Sequence, residues 1–379
     1  RRCAYRRIAR MQQILTYLEA NHHRYLAELK EFIAIPSVSS QTEHLNDMRR
    51  CADWISNQLR TIGMQNVQIM ETPGHPVVYG DWLGAPGKPT VLLYGHYDVQ
   101  PVDPVDLWTS PPFEATIRDG NLYARGSTDD KGQVFAHLKA LEAYMKNTGS
   151  LPVNLKIIIE GEEEIGSEHL DSFVSEHKDL LRADLVMISD SDMFAKGVPS
   201  VCYGLRGLAY MEIEVTGPNG DLHSGSFGGS LHNPIQALSE IIASLHDKNG
   251  KITIPRFYDD VRPLMKAERN AFKKLPWNDR KYAKSLGLKD LYGEKGFTTL
   301  ERLWARPTLE CNGIWGGYTG EGAKTVLPSK AYAKISMRIV PDQSSAKVAK
   351  LFEKHLKKIA PKTISLKVRA LHGGEPAIT

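Results

Sequence analysis

The stretch from Val91 to Gln100, VLLYGHYDVQ, constrains the fold of this chain more than any other. Val91 to Tyr94 form an unbroken apolar and aromatic run, the pattern of a short strand buried on both faces. Gly95 breaks the pattern, and His96 and Asp98 follow where the strand should end. On an extended backbone, residues two apart leave the same face, so the Asp98 carboxylate is placed to orient the His96 imidazole for metal binding or catalysis. A pair like this also occurs as a plain hydrogen bond. The acidic clusters downstream decide between the two readings.

Composition narrows the class. The chain has 379 residues, enough for two or three domains, and 41% hydrophobic with 24% charged residues is ordinary globular usage. The 48 basic and 44 acidic residues leave a net +4 with no long block of one sign, which supports neither nucleic acid nor a membrane surface as partner. Cys3, Cys51, Cys202 and Cys311 lie far apart with no CxxC. Neither a thiolate zinc site nor a disulfide framework is indicated, and a reducing, cytoplasmic setting fits. Residues 1–10, RRCAYRRIAR, read as an extension ahead of a natural start at Met11, with a mitochondrial transit segment as the alternative. No apolar run reaches the length of a membrane span.

Along the chain, apolar residues at three- and four-residue steps predict one amphipathic helix from Met11 to Ile33 and another from Leu45 to Ile62, ended by Gly63. Strands follow at Val67 to Met70 and Val91 to Tyr94, then a proline-rich loop leads into ARGSTDDKGQ, which opens a helix. Leu155 to Ile159 is a β-branched strand running directly into EGEEEIGSE, and Leu185 to Ile188 is a buried strand ending in Ser189 and Asp190. Strands alternating with helices, with polar residues at the strand ends, describe an α/β domain with its site at the carboxyl edge of a mostly parallel sheet flanked by helices. After Arg206 the texture changes to long alternating strands, Leu208 to Val215, Ala331 to Val340 and Ile364 to Ala370, with helices at Asn233 to His246 and Ser345 to Ile359. That is an α+β domain distinct from the first.

A hydrolytic two-metal site needs oxygen and imidazole ligands, with a carboxylate able to bridge ions about 3.5–4 Å apart. The candidates are His96, Asp129, Glu163 or Glu164, and Asp190, each at a strand end or loop of the first domain. Singly, the glutamates read as a solvated acidic run and Asp129 as a helix cap. Together those readings strain, because a buried strand delivering three consecutive glutamates, Glu162 to Glu164, needs cations to offset their repulsion. GGYTGEGAK lacks the Gly-Lys-Ser/Thr ending of a phosphate loop, and no GxGxxG follows a strand.

YGHYDVQP, ARGSTDDKGQ, EGEEEIGS, ISD, DLHSGSFGG, GAKTVLP and MRIVP, in this order, resemble the dinuclear zinc metallopeptidases that include carnosinases and cytosolic nonspecific dipeptidases, in a bacterial-type dipeptidase member. The resemblance runs over nearly everything from Met11 onward. It implies a catalytic domain over 11–206 and an inserted α+β lid and dimerisation domain over 207–371, with 372–379 returning toward the catalytic domain. It also implies two divalent ions, zinc first with manganese or cobalt as alternatives. His96 and Asp190 would bind one ion and Glu164 the other, Asp129 would bridge them, and Asp98 would orient His96. Glu163 would be the general base toward the bridging water. A cis peptide bond would fall between Asp129 and Asp130. In the lid, His223 would reach a partner subunit's site and stabilise the oxyanion, while Thr325 and Arg338 would hold the substrate's terminal carboxylate.

The implied function is hydrolysis of dipeptides or very short peptides with a free carboxyl end, in a homodimer. The alternatives are an N-acyl-amino-acid amidohydrolase with the same metal motifs and an inactive dimerising protein. The resemblance places one further histidine ligand beyond Thr379, since His372 belongs by motif to the return segment. A chain of this span is therefore expected to bind one ion better than the other, to turn over poorly and to leave apolar surface uncovered.

Overall fold

The computed structural model describes residues 2–379, with side chains from residue 10 onward. Of the extension expected over residues 1–10, Arg1 and the side chains of residues 2–9 lie outside the described residues. The chain forms two compact units, one ending at Ser200 and one beginning at Val201. Among the described residues no helix is long and apolar enough to cross a membrane.

The first unit runs α1 (Arg2–Ala20), α2 (His22–Ile33), α3 (Leu45–Ile62), β1 (Gln65–Met70), β2 (Val77–Trp82), β3 (Thr90–His96), the ribbon β4 (Thr116–Arg118) and β5 (Asn121–Tyr123), α4 (Lys131–Thr148), β6 (Asn154–Glu160), α5 (Leu170–Glu176), α6 (Lys178–Leu181) and β7 (Leu185–Ile188). The single helix expected from Met11 to Ile33 is two helices. They meet at Asn21, whose side-chain amide donates to the Tyr17 carbonyl at 2.8 Å beside its own backbone N–H at 3.1 Å. Gly63 ends α3 in a left-handed cap at φ 100°, as its position predicts.

Five of these strands form one sheet in the order β1-β2-β6-β3-β7, with β3 parallel to β6 and β7 and with β1–β2 and β2–β6 antiparallel. Leu93, Ile157 and Ile159 pack on one face against Phe32, Ile55, Leu59 and Leu138. Leu92, Ile158 and Tyr79 pack on the other against Phe173 and Leu181. Helices therefore cover both faces, and each fully buried aliphatic side chain contributes about 1.5–3 kcal/mol.

Two expectations need correction. Gly95 does not break the strand but lies inside β3. A Cβ there would stand 2.6 Å from Val134 Cγ2 and 2.9 Å from Asp130 Oδ2, so the glycine lets α4 and its leading acid approach the sheet. Leu185 to Ile188 is not buried. As the edge strand it has β3 as its one neighbour, and its four side chains are 44–59% exposed.

The second unit runs β8 (Gly204–Leu205), β9 (Gly207–Thr216), β10 (Leu222–His223), α7 (Ser224–Phe227), α8 (Pro234–Ser244), α9 (Lys266–Lys274), α10 (Asp279–Ser285), α11 (Thr299–Ala305), β11 (Thr308–Gly316), β12 (Val326–Leu327), β13 (Lys330–Ile339), α12 (Ser345–Ile359), β14 (Ser365–Gly374) and β15 (Ala377–Ile378). Its antiparallel sheet has the order β11-β13-β9-β14. Alternate residues of β9 and β13, Ala209 to Val215 and Ala331 to Ile339, are buried. They pack against Val348, Phe352 and Leu356, one four-residue stripe of α12, and Ala237, Leu238 and Ile241 of α8.

Candidate metal centre

The parallel register of three strands builds the site. His96 of β3 pairs with Glu160 of β6, and Tyr94 with Ile188 of β7, so all three strands end at one edge. The turn after β6 brings Glu163 and Glu164 to that edge and the turn after β7 brings Asp190, as an open α/β sheet collects ligands at its carboxyl ends. Asp129 and Asp130 arrive from the loop before α4, joined by a cis peptide bond.

His96 and Asp98 are fully buried. His96 Nδ1 lies 3.1 Å from the Asp98 carbonyl oxygen and 3.2 Å from its Oδ1. That face of the ring therefore carries a hydrogen, so the nitrogen that would offer a lone pair to a cation, once deprotonated, is Nε2, facing the cluster. The Asp98 carboxylate does more than hold the ring. It accepts from Ser39 Oγ at 2.7 Å and from the backbone N–H groups of Glu163 at 3.2 Å and Glu164 at 3.0 Å, tying the β6 turn to the end of β3. The His96 backbone N–H donates to Asp130 Oδ2 at 3.1 Å.

His96 Nε2 has Asp129 Oδ1 at 3.2 Å, Asp190 Oδ2 at 3.7 Å and Glu163 Oε2 at 3.9 Å, yet it makes no hydrogen bond. Ligand atoms of His96, Asp129 and Asp190 all lie within 4.8 Å of one another, the spacing of groups that share a cation. Glu164 stands outside that trio. Gln100 Nε2 donates to its Oε2 at 2.7 Å, and burial, opposed by that bond and joined by the Asp129 charge, raises its pKa.

The electrostatics fit the same donor set. Burial would lower the His96 pKa, but the Asp98 bond and the charges of Asp98, Asp130 and Glu163 raise it to about 10. Burial first, opposed by His96 but reinforced by Glu164, Asp190 and Asp98, pushes Glu163 up to about 7. Burial, with neighbouring acids, likewise raises Asp130 to about 7 and lifts Asp190. Carboxylates crowded in this way hold protons unless divalent charge replaces them, and one imidazole with several carboxylates is a donor set for such ions.

Sequence reasoning missed the supporting groups Ser39, Gln100, Asp130 and Lys131. Lys131 is buried at the start of α4 and donates to the carbonyls of Phe32 at 3.0 Å and Ile35 at 2.6 Å, anchoring the Asp129–Asp130 segment to the end of α2. Gln100 and Lys131 sat inside motifs already singled out, whereas Ser39 carries no signal of its own.

In the second unit, β10 and β12 pair His223 with Val326. His223 Nδ1 accepts from the Gly225 N–H at 3.1 Å, which leaves the hydrogen on Nε2, 3.1 Å from Thr325 Oγ1. His223 and Thr325 are thus brought together. Arg338 lies on β13, opposite Leu208 and Thr308. His372 lies in β14 with its ring stacked on Tyr210 at 5.0 Å.

Comparison with known proteins bears on this geometry. The pattern of peptidase family M20/M25/M40 matches residues 92–378. The chain is 34% identical to Cys-Gly metallodipeptidase dug1 of Schizosaccharomyces pombe, over 92% of this chain and 76% of that one. It is 32% identical to the cysteinylglycine-S-conjugate dipeptidase of Corynebacterium striatum, over 96% of this chain and 78% of that one. The crystal structure of human carnosine dipeptidase 1 superposes with a TM-score of 0.80 at 34% identity, covering 97% of this chain and 81% of that one.

Proposed function

The chain belongs to peptidase family M20/M25/M40, and because the relatives it matches are named dipeptidases we propose that it is a metal-dependent dipeptidase acting on short peptides with a free C-terminal carboxylate. The observation that carries the reading is His96 Nε2, buried, without a hydrogen-bond partner and facing three carboxylates. His96, Asp129, Asp190 and Glu164 would hold two divalent ions, with Asp129 between them. Imidazole with carboxylates suits zinc first, and accepts manganese or cobalt. Bound divalent ions supply acidified water and a polarised peptide carbonyl.

The chain's own residues do the rest. Asp98 fixes the His96 tautomer and the position of the Glu163–Glu164 turn. Glu163 borders the ligand set, its Oε2 3.9 Å from His96 Nε2, where a general base toward the attacking water would stand. It takes a proton from the attacking water at a carboxylate oxygen and passes it to the leaving amine nitrogen. His223, with hydrogen on Nε2, would donate to the developing oxyanion, and Thr325 beside it would share the terminal carboxylate with Arg338. Arg338 takes the terminal carboxylate as a guanidinium fork. In this reading the second unit is a lid that pairs two copies, so that His223 serves the partner's centre. A cytoplasmic setting accords with Cys51, Cys202 and Cys311 as free thiols.

The test is turnover of Cys-Gly, β-Ala-His and an N-acyl amino acid by chelator-treated protein before and after zinc or manganese is restored. Metal-dependent cleavage of a dipeptide supports the reading. Cleavage of the N-acyl amino acid alone favours the amidohydrolase, and metal-independent cleavage contradicts both.

A further inference from the structure

Arg206 is the residue of the second unit that neither motif nor family reading has used. It sits between β8 and β9, two positions before Leu208, which pairs with Arg338. Residues two apart on an extended chain share a face, so Arg206, Leu208 and Arg338 all lie on the sheet face opposite the core of Ala209, Met211 and Met337. The backbone here has no slack. A Cβ on Gly207 would stand 2.4 Å from the Gly374 carbonyl oxygen and 2.6 Å from Pro376 N, so the chain beside Arg206 is clamped against the exit of β14.

Three other arginines of this unit show what a satisfied guanidinium looks like. Arg262 with Asp342, Arg269 with Glu301 and Arg306 with Glu294 each form two-pronged ion pairs at 2.7–3.0 Å. Among the described residues, neither Arg206 nor Arg338 has a side-chain hydrogen bond or an ion pair. Arg338 is exposed and can be served by water, but Arg206 is half-buried. Burial and then the Arg338 charge lower its pKa, with Glu310 opposing them weakly and forming no ion pair. A half-buried cation held next to a second cation, with no anion bonded to either, is costly unless an anion arrives from outside the chain.

We propose that Arg206 and Arg338 form a paired-guanidinium site that takes the C-terminal carboxylate of the peptide, with Arg206 as a second specificity-determining residue. The inference rests on the dipeptidase reading for the identity of the ligand and on the sheet alone for the anion site. One carboxylate carries four lone-pair directions, enough for both forks.

The test separates the two. Succinate is titrated into the full chain while arginine Nε–Hε resonances are followed by NMR. The Arg206 and Arg338 signals are expected to move together along one saturating curve. R206Q should weaken the Arg338 response about tenfold, and R206K should restore part of it. An Arg206 signal that stays still, or an Arg338 curve unchanged in R206Q, overturns the inference. In kinetics, R206Q should raise KM for a dipeptide about tenfold with kcat retained, and leave KM for its C-terminal amide unchanged. An equal rise for acid and amide also overturns it. If succinate behaves as expected while the metal-loaded wild type neither cleaves nor binds a dipeptide, the dipeptidase reading fails and the anion site stands.

Discussion

The carboxyl edge of the first sheet and the open face of the second leave charges of opposite sign unanswered. At the ends of β3, β6 and β7, Asp129, Glu163 and Asp190 crowd around an imidazole nitrogen that bonds to nothing. On the second sheet, Arg206 and Arg338 lie together without a carboxylate while their neighbours are fully paired. In the proposed reading a divalent cation would answer the first region and a carboxylate the second.

That contrast can be broken in order of size. H96A removes the one nitrogen donor of the candidate site among the described residues and is expected to abolish tight divalent-ion binding, read as metal per chain by elemental analysis. E163Q keeps the shape of the site and is expected to lower kcat about 10²–10⁴-fold while metal content is retained. Loss of metal and activity together would make Glu163 a ligand and not the base.

Glu142 sharpens the contrast, because it is an acid of the same unit that already has its cations. It is buried, accepts from Lys139 Nζ at 3.1 Å and Tyr17 OH at 3.1 Å, and is bonded by Arg24. Burial would raise its pKa, but the Arg24 and Lys139 bonds outweigh it and hold the carboxyl below its ordinary value. A carboxyl lowered by folding contributes stability above its unfolded pKa, and that stability is lost as pH falls through the folded one. E142Q should therefore cost about 3–5 kcal/mol in denaturant unfolding at neutral pH, show a smaller deficit in acid, and leave metal content unchanged.

Asp98 stands between these cases, supporting ligands without being one. D98N should weaken metal affinity about 10–100-fold. S39A, which removes one donor to that carboxylate, should cost about 1 kcal/mol of stability with metal still bound. Equal metal affinities in D98N and wild type would show that the β6 turn is positioned by other contacts.

Much of this was readable before any coordinates, for physical reasons. Leu155 to Ile159 and Val91 to Tyr94 announced themselves because buried parallel strands are continuous apolar runs, and the acids directly after them marked the site. Leu45 to Ile62 and Ser345 to Ile359 were read to the residue, since helical periodicity and a terminal glycine or proline are local signals. The misses are tertiary. β2, VVYGDW, is buried on both faces, so its short run carries no alternation to reveal it. Gly95 looked like a break because sequence shows the missing side chain and not the Val134 methyl group that needs its space. Ser39 reaches Asp98 across 59 residues, and Arg206 meets Arg338 only through strand register.

The most direct test is calorimetric titration of zinc into chelator-stripped wild type, H96A and E142Q. We predict tight binding by wild type and E142Q and none by H96A. Equal binding by wild type and H96A would mean that the crowded edge of the first sheet is not a metal centre.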